Sequence, residues 1–519
     1  MTGAHGPAFP AGLSKDPGAR ITLSGLRDGL KAMDDVLVSC MRCGFCQSVC
    51  PVYGATLREA DVARGKLALL EDLGKGLAND AGQVSDRLGR CLLCGSCEKE
   101  CPSGVRLIDV FVRARALACA YQGLGPVKRL IFRLLLPNPR LFSFLTDVLG
   151  IFQRPFLRGA KGPPGVGAVP GVIPIAGGRH VPKLPFGGFS ERAGPISLKP
   201  GKGRPTAALF PGCAPDKVFP DLTRATLAVL KHHGAGVFMP RGLVCCGLPL
   251  LCSGDREGFL SLVRENLRQL RGARFDWLVT PCASCASAIA GQWRRHREWF
   301  SGADLKLLDG LSGRVVDLTA FLVNILKADL SPRERPPQGA GSLDANDASG
   351  AKEGPEGLPR VTYHDPCHLS KSMGVSEEPR RILESLSGWE YVEMPEADRC
   401  CGNGGTFNLS HYDISLKIGE RKRDNIVSVS PSAVATTCPA CMLQLMDQLG
   451  RKGDLVEVRH VAELYAEDLG LDYKALARGE APGIHDEPDT HAEPDDTHAG
   501  PDSKTPGGDG QKGALGAGA

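Results

Sequence analysis

Eighteen of the twenty cysteines in this 519-residue chain fall into four ordered groups, leaving only Cys119 and Cys252 outside. Whether such thiols pair with one another or gather around metal decides what the chain can fold into, so their spacing comes first. Two groups are C-x2-C-x2-C-x3-C runs closed by proline: Cys40, Cys43, Cys46 and Cys50 before Pro51, and Cys91, Cys94, Cys97 and Cys101 before Pro102. The other two contain adjacent cysteines, in "VCCGLP" at 244–249 and "RCCGNG" at 399–404. A vicinal pair is strained as a disulfide but well placed to serve neighbouring metal atoms. No basic stretch followed by an apolar one opens the sequence, so no export signal is expected. In a reducing compartment such a set ligates metal more readily than it forms disulfides.

In the proline-closed runs, three thiolates wrap one corner of a [4Fe-4S] cubane, and in two-cluster proteins the fourth serves the other cluster. Cys40, Cys43, Cys46 and Cys101 are therefore expected to hold one cubane, and Cys91, Cys94, Cys97 and Cys50 the other. Gly44 and Gly95 give the backbone room to approach the sulfides. Zinc, which CxxC pairs also bind, is disfavoured by four cysteines per run and the terminal proline. Between the runs, "ADVARGKLALLEDLGKG" has helical periodicity and is too long for a minimal ferredoxin hairpin.

From Thr206 the sequence alternates short apolar strand-like runs with amphipathic helical ones, the signature of an α/β layer. Cys213, Cys245, Cys246, Cys282 and Cys285 each follow a predicted strand. The set recurs as Cys367, Cys400, Cys401, Cys438 and Cys441, at offsets of 154 to 156 residues, which marks an internal duplication. The segments "VVDLTAFLVNIL" and "VRHVAELYAEDL" are read as matching closing helices. Ligands gather at the carboxyl ends of strands in such layers, so each set of five is expected to converge on a metal site. Five thiols exceed what one zinc or an ordinary cubane accepts, which implies bridging, and Gly247 and Gly402 let the chain turn beneath it.

The expected organisation is a first domain at 1–123 holding both runs, a linker at 124–205, the two copies at 206–330 and 360–475, a second linker at 331–359, and an acidic, Gly/Pro-rich tail from 476 that is expected to be disordered. The first linker opens with a basic, leucine-rich segment from Pro126 to Arg158; its Gly/Pro run at about 159–205 is expected to hold no regular element. "GDGQKG" in the tail matches a dinucleotide fingerprint formally but lacks the flanking strand and helix, and is discarded.

A net charge of +4 is small for this length and argues against nucleic acid as a partner. No window is apolar enough to span a membrane, its nearest approach being interrupted by Arg133, Pro137, Pro139 and Arg140. The segment from Pro126 to Arg158 is a candidate for resting on an anionic membrane surface, so the expected location is cytoplasmic, peripheral on the inner face of the cell membrane if that segment binds lipid. His364 and His368 flank Cys367, and Arg399 and Asn403 flank the second double cysteine; these can tune a cluster or stand as ordinary loop residues. No catalytic set and no flavin or nicotinamide site is legible.

The two proline-closed runs and the helical stretch between them resemble the α-helical ferredoxin modules of the succinate dehydrogenase and glycolate oxidase families. A cysteine, a CCG and a CxxC, repeated in order, resemble the cysteine-rich CCG domain of the B and D subunits of heterodisulfide reductase, which implies noncubane [4Fe-4S] clusters in both copies. Two cubane runs followed by two CCG domains resemble the iron-sulfur subunit of bacterial glycolate oxidase and its D-lactate dehydrogenase relatives, over about residues 30–470. The resemblance implies an α-helical ferredoxin domain followed by two duplicated α/β CCG domains. It also implies electron transfer from a partner FAD protein that oxidises glycolate or D-lactate toward a quinone or other acceptor. Alternatives are a heterodisulfide reductase-like subunit that cleaves a disulfide at a CCG cluster, the iron-sulfur subunit of anaerobic glycerol-3-phosphate dehydrogenase, and, last, an iron-sensing protein.

Overall fold

The computed structural model describes residues 20–153, 157–159, 162–171, 177–331 and 357–475; most of the second linker and the tail lie outside them. Four helices, Leu23–Lys31, Ala63–Lys75, Ala81–Gly89 and Leu107–Gln122, pack around Leu26, Leu30, Leu67, Leu70, Phe111 and Leu117. Their ends follow from sequence. Thr22 and Asp80 cap the first and third by accepting from Gly25 N–H at 3.2 Å and Gln83 N–H at 2.9 Å. Gly76 ends the second in the left-handed conformation, at φ 77°. The two cysteine runs share one backbone path: Arg42 and Gly44 have φ of 55° and 89°, matched by Leu93 and Gly95 at 54° and 78°. The turn directs backbone N–H groups at sulfur, as where Leu93 N–H lies 3.4 Å from Cys91 Sγ.

The first linker corrects one expectation. Its leucine-rich part forms two helices, Pro126–Leu130 and Pro139–Phe152, joined through a π-turn at Ile131–Leu135, each helix opening on a proline whose missing N–H costs nothing there. The second helix is inverted: Ser143 and Thr146 are buried, while Phe144, Leu149, Ile151 and Phe152 face outward. The Gly/Pro run also holds regular structure, contrary to the sequence reading. β1 (Arg158–Gly159), β2 (Val166–Ala168) and β3 (His180–Pro182) form an antiparallel sheet, and β4 (Ile196–Leu198) follows. These strands are three residues or fewer, too short to show in the pattern, and exist because a tertiary partner supplies their contacts. His180 N–H donates to Asp447 at 2.7 Å, and its ring lies so close to Gly450 that a Cβ there would meet it at 2.9 Å.

In the first α/β unit, β5 (Thr206–Leu209), β6 (Gly236–Met239), β7 (Trp277–Thr280) and β8 (Val315–Asp317) form a parallel sheet ordered β6-β5-β7-β8, with β4 added antiparallel on the β6 edge. The second unit repeats it with β9 (Arg360–Tyr363), β10 (Glu390–Tyr391), β11 (Ala433–Thr436) and β12 (Glu457–His460) in the order β10-β9-β11-β12. The closing segments are another correction, since each opens as the fourth strand of its sheet. Helix begins only after Asp317, which accepts from Ala320 N–H at 2.9 Å, and after His460, whose Nδ1 accepts from Ala462 N–H at 3.1 Å.

The units dock with the carboxyl ends of their sheets toward a common space. Ala283 N–H donates to the Thr437 carbonyl at 3.0 Å, His233 Nε2 lies 3.1 Å from the Tyr465 hydroxyl, and His460 Nε2 lies 2.8 Å from the Pro281 carbonyl. One apolar core runs through both, from Leu222 and Leu230 to Val361 and Tyr465.

Candidate metal centre

All twenty cysteines are free thiols. Cys40, Cys43, Cys46, Cys97 and Cys101 line one pocket together with Arg64, Leu67 and Leu107. Cys50 turns away to the second run. Its sulfur accepts from Tyr53 N–H at 3.4 Å, and burial, with Cys94 and Cys91 beside it, pushes its thiol up to about 12. Cys101 of the second run thus lies with Cys40, Cys43 and Cys46 of the first. Lys66, fully buried, donates to the Asp61 carbonyl and brings positive charge toward Cys91 and Cys50.

All ten cysteines of the two α/β units line a single cavity of about 130 Å³, together with Leu92, Leu248, Pro249, Pro366 and Asn403. The sequence reading of one convergence point per copy is thus sharpened: the two sets share one space. Cys213 and Cys245 sulfurs are 3.8 Å apart, and Cys438 Sγ is 3.3 Å from the Ser284 hydroxyl. Gly212 must be glycine, because its φ is +84° and a Cβ would meet Cys285 Sγ at 2.9 Å.

Within the array the sulfurs crowd one another. Cys213, Cys285, Cys367 and Cys441, beside neighbouring sulfurs and buried, are held well above the usual thiol range. Cys246, between Cys245 and Cys285, falls to about 6. Cys401, beside Cys400 and Cys441, and Cys438, beside Cys282 and Cys441, fall well below it. A buried array this dense cannot ionise as a whole unless positive charge sits in its midst. Soft thiolates at close quarters, unoxidised and shielded from water, fit iron in iron–sulfur clusters.

Two contacts join the sets. Cys94 of the ferredoxin part packs in one buried cluster with Cys400 of the second copy, and Cys400 together with burial pushes the Cys94 thiol well above the ordinary range. Cys282 and Ser284 of the first copy face Cys438 of the second across the cavity, the Ser284 hydroxyl 3.3 Å from its sulfur. Ferredoxin part, second copy and first copy therefore follow one another.

The flanking residues divide. His368 lines the cavity, its Nδ1 3.1 Å from the Ser284 hydroxyl, and Asn403 N–H donates to Cys401. His364 is fully buried and held neutral, burial and nearby Lys422 lowering its pKa to about 3. Arg399 is not at the cavity: it pairs with Glu396 at 3.5 Å. Cys252, outside every motif, lines the cavity wall, and so does Ser284, within the CxxC of the first copy. No spacing rule marks Cys252; its place follows only from how the short Leu248–Cys252 helix turns after Gly247.

A cysteine-rich domain (CCG) matches residues 207–290 and 361–446, and a 4Fe-4S dicluster domain matches 37–105. The chain is 28% identical over 456 residues to the probable glycolate oxidase iron-sulfur subunit of Bacillus subtilis, covering 84% of this chain and 94% of the relative. To a fumarate reductase (CoM/CoB) subunit of Methanothermobacter marburgensis it is 30% identical over 437 residues, covering 82% of this chain and 71% of that protein. Lactate utilization protein A of Geobacillus thermodenitrificans matches at 29% over 260 residues, covering 50% of this chain and 97% of that protein.

Proposed function

The chain belongs to the family of iron-sulfur oxidoreductase subunits, glycolate oxidase type among them, in which a 4Fe-4S dicluster domain precedes two CCG domains, and from that premise we propose that it is the electron-transfer subunit of a 2-hydroxy-acid dehydrogenase. The observation that carries the reading is the packing of Cys94 against Cys400 and the shared cavity that both CCG sets line. Cys40, Cys43, Cys46 and Cys101 would hold one cubane; Cys50, Cys91, Cys94 and Cys97 the other; and each CCG set a four-iron cluster of noncubane form. Bound clusters supply single-electron storage and transfer. The protein's part is to hold these sets in contact, bury most thiols of the CCG sets, and place Lys66 and Lys422 as buried positive charge.

Two-electron oxidation of glycolate or D-lactate needs a hydride acceptor, so a flavoprotein partner carrying FAD would hold the substrate, with a quinone or other carrier as final acceptor. Among the described residues no helix is long and apolar enough to cross a membrane. The outward apolar face of Pro139–Phe152, with Arg129 and Arg140 on the same segment, is read as a peripheral membrane contact that brings quinone within reach.

The test is to purify the chain anaerobically and assay it alone and with its flavoprotein. Alone it should oxidise neither glycolate nor D-lactate; with the reduced partner its visible absorbance should bleach. A second reading, disulfide reduction at a CCG set, is favoured by the way both sets of five thiols face one partly apolar space. Reduction of a heterodisulfide by the chain alone from an artificial donor, lost on Cys438→Ala, would put that reading first.

A further inference from the structure

We infer that His364 is a nitrogen ligand of the metal site in the second CCG copy, and that the two copies are therefore chemically unequal. The inference rests on the cluster reading above but not on the identity of any partner. His364 directly follows β9, and its backbone N–H is fixed by the Ala435 carbonyl at 2.9 Å. His364 is 0% exposed, yet neither ring nitrogen reaches hydrogen-bonding geometry with a partner, the Ala397 carbonyl being the one backbone acceptor near it. The Ala397 carbonyl, near the ring, already accepts from Asp365 N–H and Lys422 Nζ, each at 3.1 Å. What the ring does meet is sulfur: a ring nitrogen, Cys401 Sγ and Cys441 Sγ all lie within 4.8 Å of one another. A buried imidazole unpaired at both nitrogens is costly unless something occupies the space between it and those thiols. Imidazole beside thiolates is a donor set that iron accepts.

The duplication supplies an internal control. The first-copy position equivalent to His364 is Phe210, a core residue, so this strand end has no architectural need of a polar side chain. A second substitution points the same way. Where the first copy has Asn266, which donates to the Cys245 carbonyl at 3.1 Å, the second has Lys422, fully buried and facing Cys401 and Cys400. Nitrogen in place of purely thiolate ligation, and positive charge nearby, both favour the reduced state of an iron–sulfur cluster. The second site, the one in contact with the ferredoxin part, should accept electrons before the first.

Protein labelled with 15N-histidine, loaded with iron and sulfide and partly reduced, should show a strongly coupled nitrogen on one CCG paramagnetic signal. His364→Phe should abolish that coupling and lower that signal's midpoint potential toward the other's, with the ferredoxin signals unmoved. Phe210→His should raise the other midpoint. Absence of coupling in the unmodified protein, or an unchanged midpoint in His364→Phe at full iron content, overturns the inference. If His364→Phe loses iron at that site, His364→Cys decides: recovered iron supports ligation and continued loss overturns it. Failure of transfer from the flavoprotein with the coupling intact would count against the proposed function alone.

Discussion

His460 is the residue through which the two α/β units feel pH. Fully buried, it accepts from Ala462 N–H at Nδ1, which leaves Nε2 as the protonated nitrogen facing the Pro281 carbonyl of the other unit. Burial lowers its pKa from 6.5 to about 4. Because the folded value lies below the unfolded one, the unfolded chain takes up the proton first. The contribution is complete above pH 6.5 and is lost as pH falls toward 4. At pH 5 the loss from this residue is about 2 kcal/mol. Urea midpoints followed by cluster absorbance at pH 7.5 and pH 5 should therefore differ by that much more in the native protein than in His460→Asn; equal differences would remove His460 from the account. None of this was legible in "VRHVAELY", where the histidine sits at a strand-to-helix boundary that periodicity read as continuous helix. The cysteines were legible because metal ligation fixes their spacing along the chain, whereas the pairing of His460 with Pro281 depends on two segments 179 residues apart.

At the scale of elements, the long periodic helices and the parallel strands ending at cysteines were readable, since their own side chains make most of their contacts. Residues 159–205 were not, because β2, β3 and β4 borrow their partners from the Pro439–Lys452 helix and from β6. The Pro139–Phe152 helix shows the same dependence differently. Its apolar residues could be counted from sequence, but not the direction they face, which is outward. Arg133, one of the cations that marked the segment, pairs with Asp255 at 2.7 Å and is taken from the surface set, while Arg129 and Arg140 remain. Each large apolar side chain withdrawn from water contributes about 1.5–3 kcal/mol, so Phe144, Leu149 and Phe152 together outweigh the two cations. The native protein should float with anionic liposomes, and a variant with all three changed to serine should stay in solution with its absorbance and iron intact. Flotation of neither would remove the membrane contact from the account.

For the whole molecule, the order of the thiol sets matters more than their number. Two cubanes and two four-iron sites amount to about sixteen irons per chain, and zinc as the main metal would end the cluster assignment. The connections make a finer statement, because the two copies do not stand equally toward the ferredoxin part. Cys245 lies beside Cys213 and Cys246 of its own copy, whereas Cys400 packs with Cys94 of the ferredoxin part as well as with Cys367. Cys245→Ser should cost about four irons and leave the ferredoxin signals as they were. Cys400→Ser should cost a similar amount and also shift the spectrum and midpoint of the cubane proposed at Cys91, Cys94, Cys97 and Cys50, because a sulfur packed against Cys94 has been replaced. Iron analysis with paramagnetic resonance of both variants separates the cases. If both leave the ferredoxin signals untouched, the ferredoxin part and the second copy are not in the contact described, and the path between them must run through another face.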